Sequence, residues 1–325
     1  MGFWGGKKVA VTGGAGFIGS YLAEMLVDAG AKVRIIDNLS RGKLENLKSV
    51  QPHIEFVEND LRDNLLARTS LLNQEIVFNL AAKVAGIQYN ISHNADMFEQ
   101  NMLLQMQPIA AAAKGSVETF LQVSTACIYP HDAAVPTSEE EGDRGEPEPT
   151  NVGYGWAKRM GERLARYYHD ETDMIVLVAR PFNAYGGARD YYDEATSHVI
   201  PAMVKKVLDR DDPVMVWGSG NQSRVFVHAK DIARGMMLMV EKHDAPDPVN
   251  LGHDRETTIR ELVKKIQELT GISRKVFYDT SKPEGYLRRA ANVDNLRKIT
   301  GFVPEITLEE GLREAIECYK KLQTS

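Results

Sequence analysis

Apolar positions fall along the chain in two alternating rhythms. Short apolar-rich runs, three to six residues long, are separated by longer stretches in which apolar side chains return every three or four residues. Val9-Ala10-Val11 is the first run, followed by a glycine cluster and a helical pattern over Phe17–Ala29. Lys32–Asp37, Ile54–Val57, Glu75–Leu80, Phe120–Ser124 and Met174–Ala179 read as five further strands, with helical stretches between most of them. Strands that alternate with helices imply βαβ units and a parallel sheet covered on both faces. The acidic, proline-bearing stretch Pro136–Pro149 reads as a surface loop. After Arg180 the rhythm changes to short strands and irregular stretches, among them Val214–Trp217 followed by Gly218-Ser219-Gly220. Helical patterns return at Ile232–Lys242, which we expect to rejoin the first sheet, and at Ile259–Leu269 and Leu308–Leu322.

Bulk properties narrow the classes. The 325 residues suffice for one large domain or two closely joined ones. Apolar residues make up 43% and charged residues 26%, ordinary for a soluble globular chain. No run approaches the ~18 apolar residues of a membrane span. Met1–Lys8 has neither the apolar core nor the cleavage site of a signal peptide. Gly2 follows Met1, but Gly6 stands where a myristoylation motif has Ser or Thr. Cys127 and Cys318 are too few for a disulfide framework, so a reducing cytoplasm is expected. A net charge of −6 argues against a broad nucleic-acid surface. An anionic small substrate would need a local cluster of arginines.

The candidate chemistry begins in the glycine cluster. In Gly13-Gly14-Ala15-Gly16-Phe17-Ile18-Gly19, Gly13 permits a tight turn, Gly16 lets backbone approach a pyrophosphate, and Gly19 lets the helix pack on the strand. The helix N-terminus then offers N–H groups to phosphate. Asp37 closes the second strand about 20 residues on, where a carboxylate accepts from a ribose and repels a 2′-phosphate. This favours NAD over NADP; a turn-capping aspartate is the alternative, and Arg41 lies nearby. Asp60, after the third strand, is a candidate for the adenine end. The expected fold is therefore a Rossmann-type doubly wound sheet over residues 1–182, with a return segment near 225–250. A smaller, interleaved α/β substrate domain occupies most of 183–325.

Tyr154 and Lys158 are four apart in a helical pattern after Thr150-Asn151, which are plausible caps, so both face one side. A free tyrosine titrates near ~10 and is a poor base at neutral pH. A neighbouring lysine cation stabilises the phenolate and makes it a usable proton acceptor. Tyr-x-x-x-Lys is common by chance; its place between the fifth and sixth strands gives it weight.

Taken together, Gly13-x-x-Gly16-x-x-Gly19, Asp37, Asp60, Asn79-Leu80-Ala81-Ala82, Ser124-Thr125-Ala126-Cys127-Ile128-Tyr129, Tyr154-x-x-x-Lys158 and Arg180-Pro181-Phe182-Asn183 resemble the extended short-chain dehydrogenases/reductases of the nucleotide-sugar epimerase/dehydratase group, over nearly the whole chain. The resemblance implies NAD held by the glycine loop with Phe17, Ile18, Asp37, Asn38, Asp60, Leu61, Leu80, Ala81 and Ala82, and by Tyr154 and Lys158. It implies that Thr125 donates to the sugar O4 and that Asn101 shapes the helix near the site. It also implies a homodimer formed by the helices over Asp96–Ala113 and Gly153–Tyr168, with Met97, Met102, Leu103 and Met106 as apolar contacts. No metal is called for.

Dehydratases and decarboxylases of this group place Asp or Glu just after the threonine, where this chain has Ala126 and Cys127. Cys-Ile-Tyr-Pro resembles the GDP-mannose 3,5-epimerase and GDP-L-fucose synthase branches, in which the cysteine transfers protons beside a C4 ketone. The alternative is a small buried cysteine. His198, in Ser197-His198-Val199-Ile200-Pro201, resembles the acid/base histidine of GDP-fucose synthase. That enzyme uses NADP, which Asp37 disfavours, so the expected function is a 3,5-epimerase cycle: C4 oxidation, proton transfer at C3 and C5, C4 re-reduction. A one-way ketosugar reductase, a simple C4 epimerase and a non-catalytic NAD-sensing module are the rivals. By the same resemblance Asn183, Arg224 and Arg288 grip the diphosphate, with Arg289 a weaker candidate and Lys282-Pro283-Glu284-Gly285 leading into Arg288.

Overall fold

The computed structural model describes every residue except 1, 116, 188, 191, 193–196, 210–211, 283–285 and 325; residues 283–285 of the stretch before Arg288 thus lie outside the described residues. The first half runs β1 (Lys8–Thr12), α1 (Phe17–Asp28), β2 (Lys32–Asp37), β3 (Ile54–Glu58), α2 (Asn64–Ser70), β4 (Ile76–Asn79), α3 (Ile87–Ser92), α4 (Asn94–Ala113), β5 (Thr119–Val123), α5 (Val152–Glu171) and β6 (Ile175–Pro181). The second half runs β7 (Ala184–Tyr185), α6 (Val199–Leu208), β8 (Val214–Trp217), β9 (Ser223–Val225), β10 (Val227–His228), α7 (Ala229–Lys242), β11 (Pro248–Leu251), β12 (Glu256–Thr258), α8 (Ile259–Thr270), β13 (Val276–Asp279), β14 (Arg288–Arg289), α9 (Asp294–Thr300) and α10 (Leu308–Leu322).

Seven strands form one parallel sheet in the order β11-β6-β5-β4-β1-β2-β3. The order reverses beside β1, and a crevice opens there above the strand C-termini, the usual ligand position in such sheets. The strands at its centre are buried on both faces, which is why they read as continuous apolar runs. α1 and α7 cover one face, with Leu22, Leu26, Ile232 and Met236 buried against it. α4 and α5 cover the other, with Ile109, Ala112 and Ala165 buried there. A separate apolar cluster, built on Val204, Val216, Leu262, Ile266, Leu312 and Ile316, holds α6, α8 and α10 around the β8–β13 pair. No helix among the described residues is long and apolar enough to cross a membrane.

Two expectations change. The Pro136–Pro149 stretch is not simply surface: Thr137 bridges to Ala291, and Glu139 and Glu148 are buried. Each buried carboxylate has a remote partner, since Glu139 accepts from the Asn250 N–H (3.0 Å) and Glu148 from Arg289 (3.0 Å). Asn151 stands at the N-cap of α5, but its side chain makes no cap bond; its Oδ1 accepts from Asn90 instead.

Candidate active site

The loop between β1 and α1 lies at the topological switch. Gly13 has φ +65°, and a Cβ there would lie 3.0 Å from the Ala81 nitrogen, so the turn needs glycine. At Gly19 a Cβ would overlap the Gly13 carbonyl, so any side chain would push the helix off the loop. Gly16 caps α1 without a side-chain bond, which leaves the first-turn N–H groups at Phe17, Ile18 and Gly19 for an anion. The Asn79–Ala82 segment is tied to this loop: Thr12 Oγ1 donates to Asn79 Oδ1 (2.6 Å) and accepts from the Ala81 N–H (3.1 Å).

Asp37, at the end of β2, is buried, and its carboxylate accepts the N–H groups of Ala15 (3.0 Å) and Leu39 (2.9 Å). Burial raises its pKa, against these hydrogen bonds. The Arg41 guanidinium is turned away to the Val84 carbonyl (2.7 Å). Asn38 donates to Asp60 (3.2 Å). Hydrogen bonds from Arg62 hold the Asp60 carboxyl down at about 2. Leu61 is buried beside it. These residues fit a dinucleotide: a cradle that tolerates no Cβ, an open helix N-terminus and a buried carboxylate closing the neighbouring strand.

Thr125, Cys127 and Tyr154 converge beyond the end of β5, each part-exposed. Thr125 Oγ1 accepts the Cys127 N–H (3.2 Å). Burial pushes the Tyr154 phenol up, with the nearby Cys127 adding to the rise and the Thr125 hydroxyl opposing it. Lys158 is fully buried, its Nζ 5.8 Å from the Tyr154 ring centroid and 2.8 Å from the Val123 carbonyl, to which it donates. Burial lowers its pKa to about 8, and the Glu162 carboxylate one turn on opposes that fall. Asn101 is buried and clamps the turn after Ala82, accepting the Lys83 N–H and donating to the Lys83 carbonyl, both at 3.0 Å.

His198 is the N-cap of α6 and exposed; its Nδ1 lies 3.1 Å from Asp190 Oδ1, and its ring is 6.3 Å from Phe17 in the cofactor loop. Arg224 is half-buried and donates to the Ser223 and Tyr286 carbonyls (both 2.7 Å). Asn183 donates to the Val225 carbonyl (2.9 Å). Arg288 is exposed and paired with Glu256, and would have to leave it to reach a substrate. The next residue, Arg289, points inward to Glu148 and the Ala126 carbonyl, beside Cys127. Sequence reasoning passed over Glu148, Glu162 and Gln105. The available signal for Glu162 was its spacing of four from Lys158 on one helix face. Gln105 donates to the Ala157 carbonyl (2.8 Å) and fixes α5 against α4.

Residues 9–252 match the model of the NAD dependent epimerase/dehydratase family. The chain belongs to that family. It is an enzyme of the NAD dependent epimerase/dehydratase type, and its cofactor is NAD. Probable GDP-L-fucose synthase 1 of Oryza sativa subsp. japonica is 31% identical over 319 residues, covering 97% of this chain and 92% of that protein. The crystal structure of a UDP-glucose 4-epimerase with UDP-glucose from Thermotoga maritima has a TM-score of 0.87 at 29% identity, covering 97% of this chain and 99% of that one. DesIV, a dTDP-glucose 4,6-dehydratase from Streptomyces venezuelae crystallised with NAD, has a TM-score of 0.83 at 25% identity, covering 97% and 98%. Over nearly their whole lengths these two solved structures thus share the fold of this chain.

Proposed function

We propose that this family member is an epimerase of a nucleotide-diphosphate sugar, with a GDP-linked hexose as the first candidate. It would oxidise C4, exchange protons at C3 and C5, and reduce C4 again, as a GDP-mannose 3,5-epimerase does. The observation that carries the reading is Thr125, Tyr154 and Cys127 gathered beside a buried Lys158, with Ala126 where a dehydratase carboxylate would stand. Bound along Gly13–Gly19, Asp37 and Leu80–Ala82, NAD supplies a hydride acceptor at C4 and later returns that hydride. The Tyr154 phenolate takes the O4 proton, Thr125 orients O4, and the Lys158 cation lowers the cost of the phenolate. A ketone at C4 acidifies the hydrogens on C3 and C5, which Cys127 and His198 then exchange. Arg224 and Asn183, with Arg288 once freed from Glu256, hold the diphosphate; residues 183–325, apart from the return near 225–250, form that side of the cleft.

We further assign the chain to the cytoplasm and to a homodimer through α4 and α5, where Phe98 and Met106 are about 40% exposed on one helix face. The test is product NMR after incubation with GDP-, UDP- and dTDP-hexoses in heavy water. Deuterium at C3, C5 or both is the expected outcome; turnover with no ring deuterium makes the chain a C4 epimerase. A second reading, a one-way ketosugar reductase, is favoured by the similarity to a GDP-L-fucose synthase. Stoichiometric consumption of NADPH would decide for it, whereas NAD retained through purification favours the closed cycle. Failure of every sugar together with NAD-dependent partner binding would leave the sensing module.

A further inference from the structure

Three neighbouring strands carry a polar side chain at one level near their C-terminal ends. Register sets Thr12 of β1 beside Asn79 of β4, and Asn79 beside Gln122 of β5. With Gln105 of α4 they form a buried chain, each at most 1% exposed. The Thr12 hydroxyl donates to Asn79 Oδ1 (2.6 Å) and Asn79 Nδ2 to Gln122 Oε1 (3.0 Å). Gln122 Nε2 then donates to Gln105 Oε1 (3.3 Å), and Gln105 Nε2 to the Ala157 carbonyl of α5 (2.8 Å). The second hydrogens of the three amides go to the carbonyls of Leu104 (3.2 Å), Val123 (3.3 Å) and Asn101 (3.0 Å). Every amide N–H is thus used, and the bonds run one way, from the strand that leads into the glycine loop to the residue before Lys158. Turning over any one amide would break bonds at both of its ends.

Apolar side chains of the same size would fill this space without desolvating polar groups. What they would not do is fix one orientation, which a fully satisfied polar network does. Two contacts show what is being oriented. The Val123 carbonyl that takes the second Gln122 hydrogen also accepts from Lys158 Nζ (2.8 Å), so it is the seat of that buried ammonium. α5 in turn gives up a side chain to admit Gln105: a Cβ at Gly161, one turn beyond Lys158, would overlap the Gln105 amide. Glycine is unfavourable inside a helix, so the close approach is what it serves.

We propose that Gln105 and Gln122 are positioning residues, anchored through Asn79 to Thr12, that hold the Lys158 ammonium in place beside Tyr154. The proposal rests on the reading of Tyr154 and Lys158 as a working pair. The four side chains of the chain carry no charge. The ionisable groups that act on the pair are Cys127, after β5, and Glu162, on α5. Exchanging Gln105 for methionine therefore alters no charge, and any effect on Tyr154 must come through position. Without Gln105 Oε1 the Gln122 amide can turn, and the Val123 carbonyl is no longer held where Lys158 needs it. A cation held less firmly stabilises the phenolate less, so Tyr154 gives up its proton at higher pH.

The test uses full-length protein saturated with NAD and needs no sugar. Tyr154 is titrated by the ultraviolet absorbance of its phenolate. Because the chain has 12 tyrosines, the signal is the difference between each protein and the same protein carrying Tyr154→Phe. In Gln105→Met the midpoint should rise by about half a unit or more. Thr12→Val removes one hydroxyl at the far end and guards against misfolding; it should raise the midpoint by less. Lys158→Met, which removes the cation itself, should raise it most. An unmoved or lowered midpoint in Gln105→Met or in Thr12→Val, with Lys158→Met raised, overturns the proposal alone. Lys158→Met with the parent's midpoint overturns instead the pairing of Tyr154 with Lys158 on which it rests.

Discussion

Glu162→Ala should cost more than most single substitutions in this chain. Arg180 and Glu162 form a buried bidentate pair, Nε to Oε1 at 2.9 Å and Nη2 to Oε2 at 2.6 Å, with side chains 2% and 7% exposed. Arg180 Nη1 donates to the Tyr129 hydroxyl (2.9 Å) and the Glu139 carbonyl (2.7 Å), so the guanidinium is held on both sides. Removing the carboxylate leaves a cation in the interior with only neutral acceptors. Breaking a buried pair from one side costs ~3–5 kcal/mol. With an unfolding entropy of ~2.1 cal/mol/K per residue, that lowers Tm by about 4–7 °C for a chain of this length. Arg180→Met in the Glu162→Leu background should recover most of the loss, because neither charge is then stranded. Glu162 also opposes the fall in the Lys158 pKa. Its loss should move the point at which Lys158 sheds its proton below about 8, and the alkaline limb of the C4 oxidation rate should follow it down. Scanning calorimetry and a pH–rate series measure the two effects. A Tm within about 2 °C of the parent, or an unmoved alkaline limb, would refute the reasoning.

Tyr154→Phe removes the hydroxyl that takes the sugar proton and should lower turnover ~10²- to 10⁴-fold while NAD binding stays intact; activity within threefold of the parent would name another base. Asp37→Ala should weaken NAD by roughly 10- to 100-fold, as charged hydrogen bonds to the ribose are lost, and narrow the gap to NADP; calorimetric titration with both cofactors checks it. Gly161→Val puts a side chain onto the Gln105 amide, between α4 and α5, and should destabilise the fold by about 1–3 kcal/mol in urea unfolding. Light scattering at micromolar concentration should give twice the chain mass; a monomer mass would remove the α4/α5 interface.

What could be read from the sequence was local. The glycine loop, Asp37 and the Tyr154/Lys158 spacing each state their geometry within about twenty residues, and strand alternation gave the parallel sheet. What could not be read depended on contacts across the fold. The acidic stretch Pro136–Pro149 has the composition of a solvated loop, and nothing near it announces that Asn250 and Arg289 will bury Glu139 and Glu148. Composition predicts exposure only when the partner is water. The two arginines make the point more sharply. Adjacent residues on an extended strand face opposite sides, so one of Arg288 and Arg289 had to turn inward, and the sequence does not say which. Pairing decides it. β14 runs parallel to β9 with Arg288 opposite Ser223 and Arg289 opposite Arg224, and Glu256 on β12 takes Arg288 on the outer side. Arg289 is then directed at the cysteine turn, where Glu148 is waiting. A shift of one residue in that register would exchange the two arginines and leave Glu148 buried without its cation. The register of a two-residue strand thus sets the electrostatics around Cys127, and substitutions that loosen β9–β14 pairing should alter the thiol before they alter the Tyr154 chemistry.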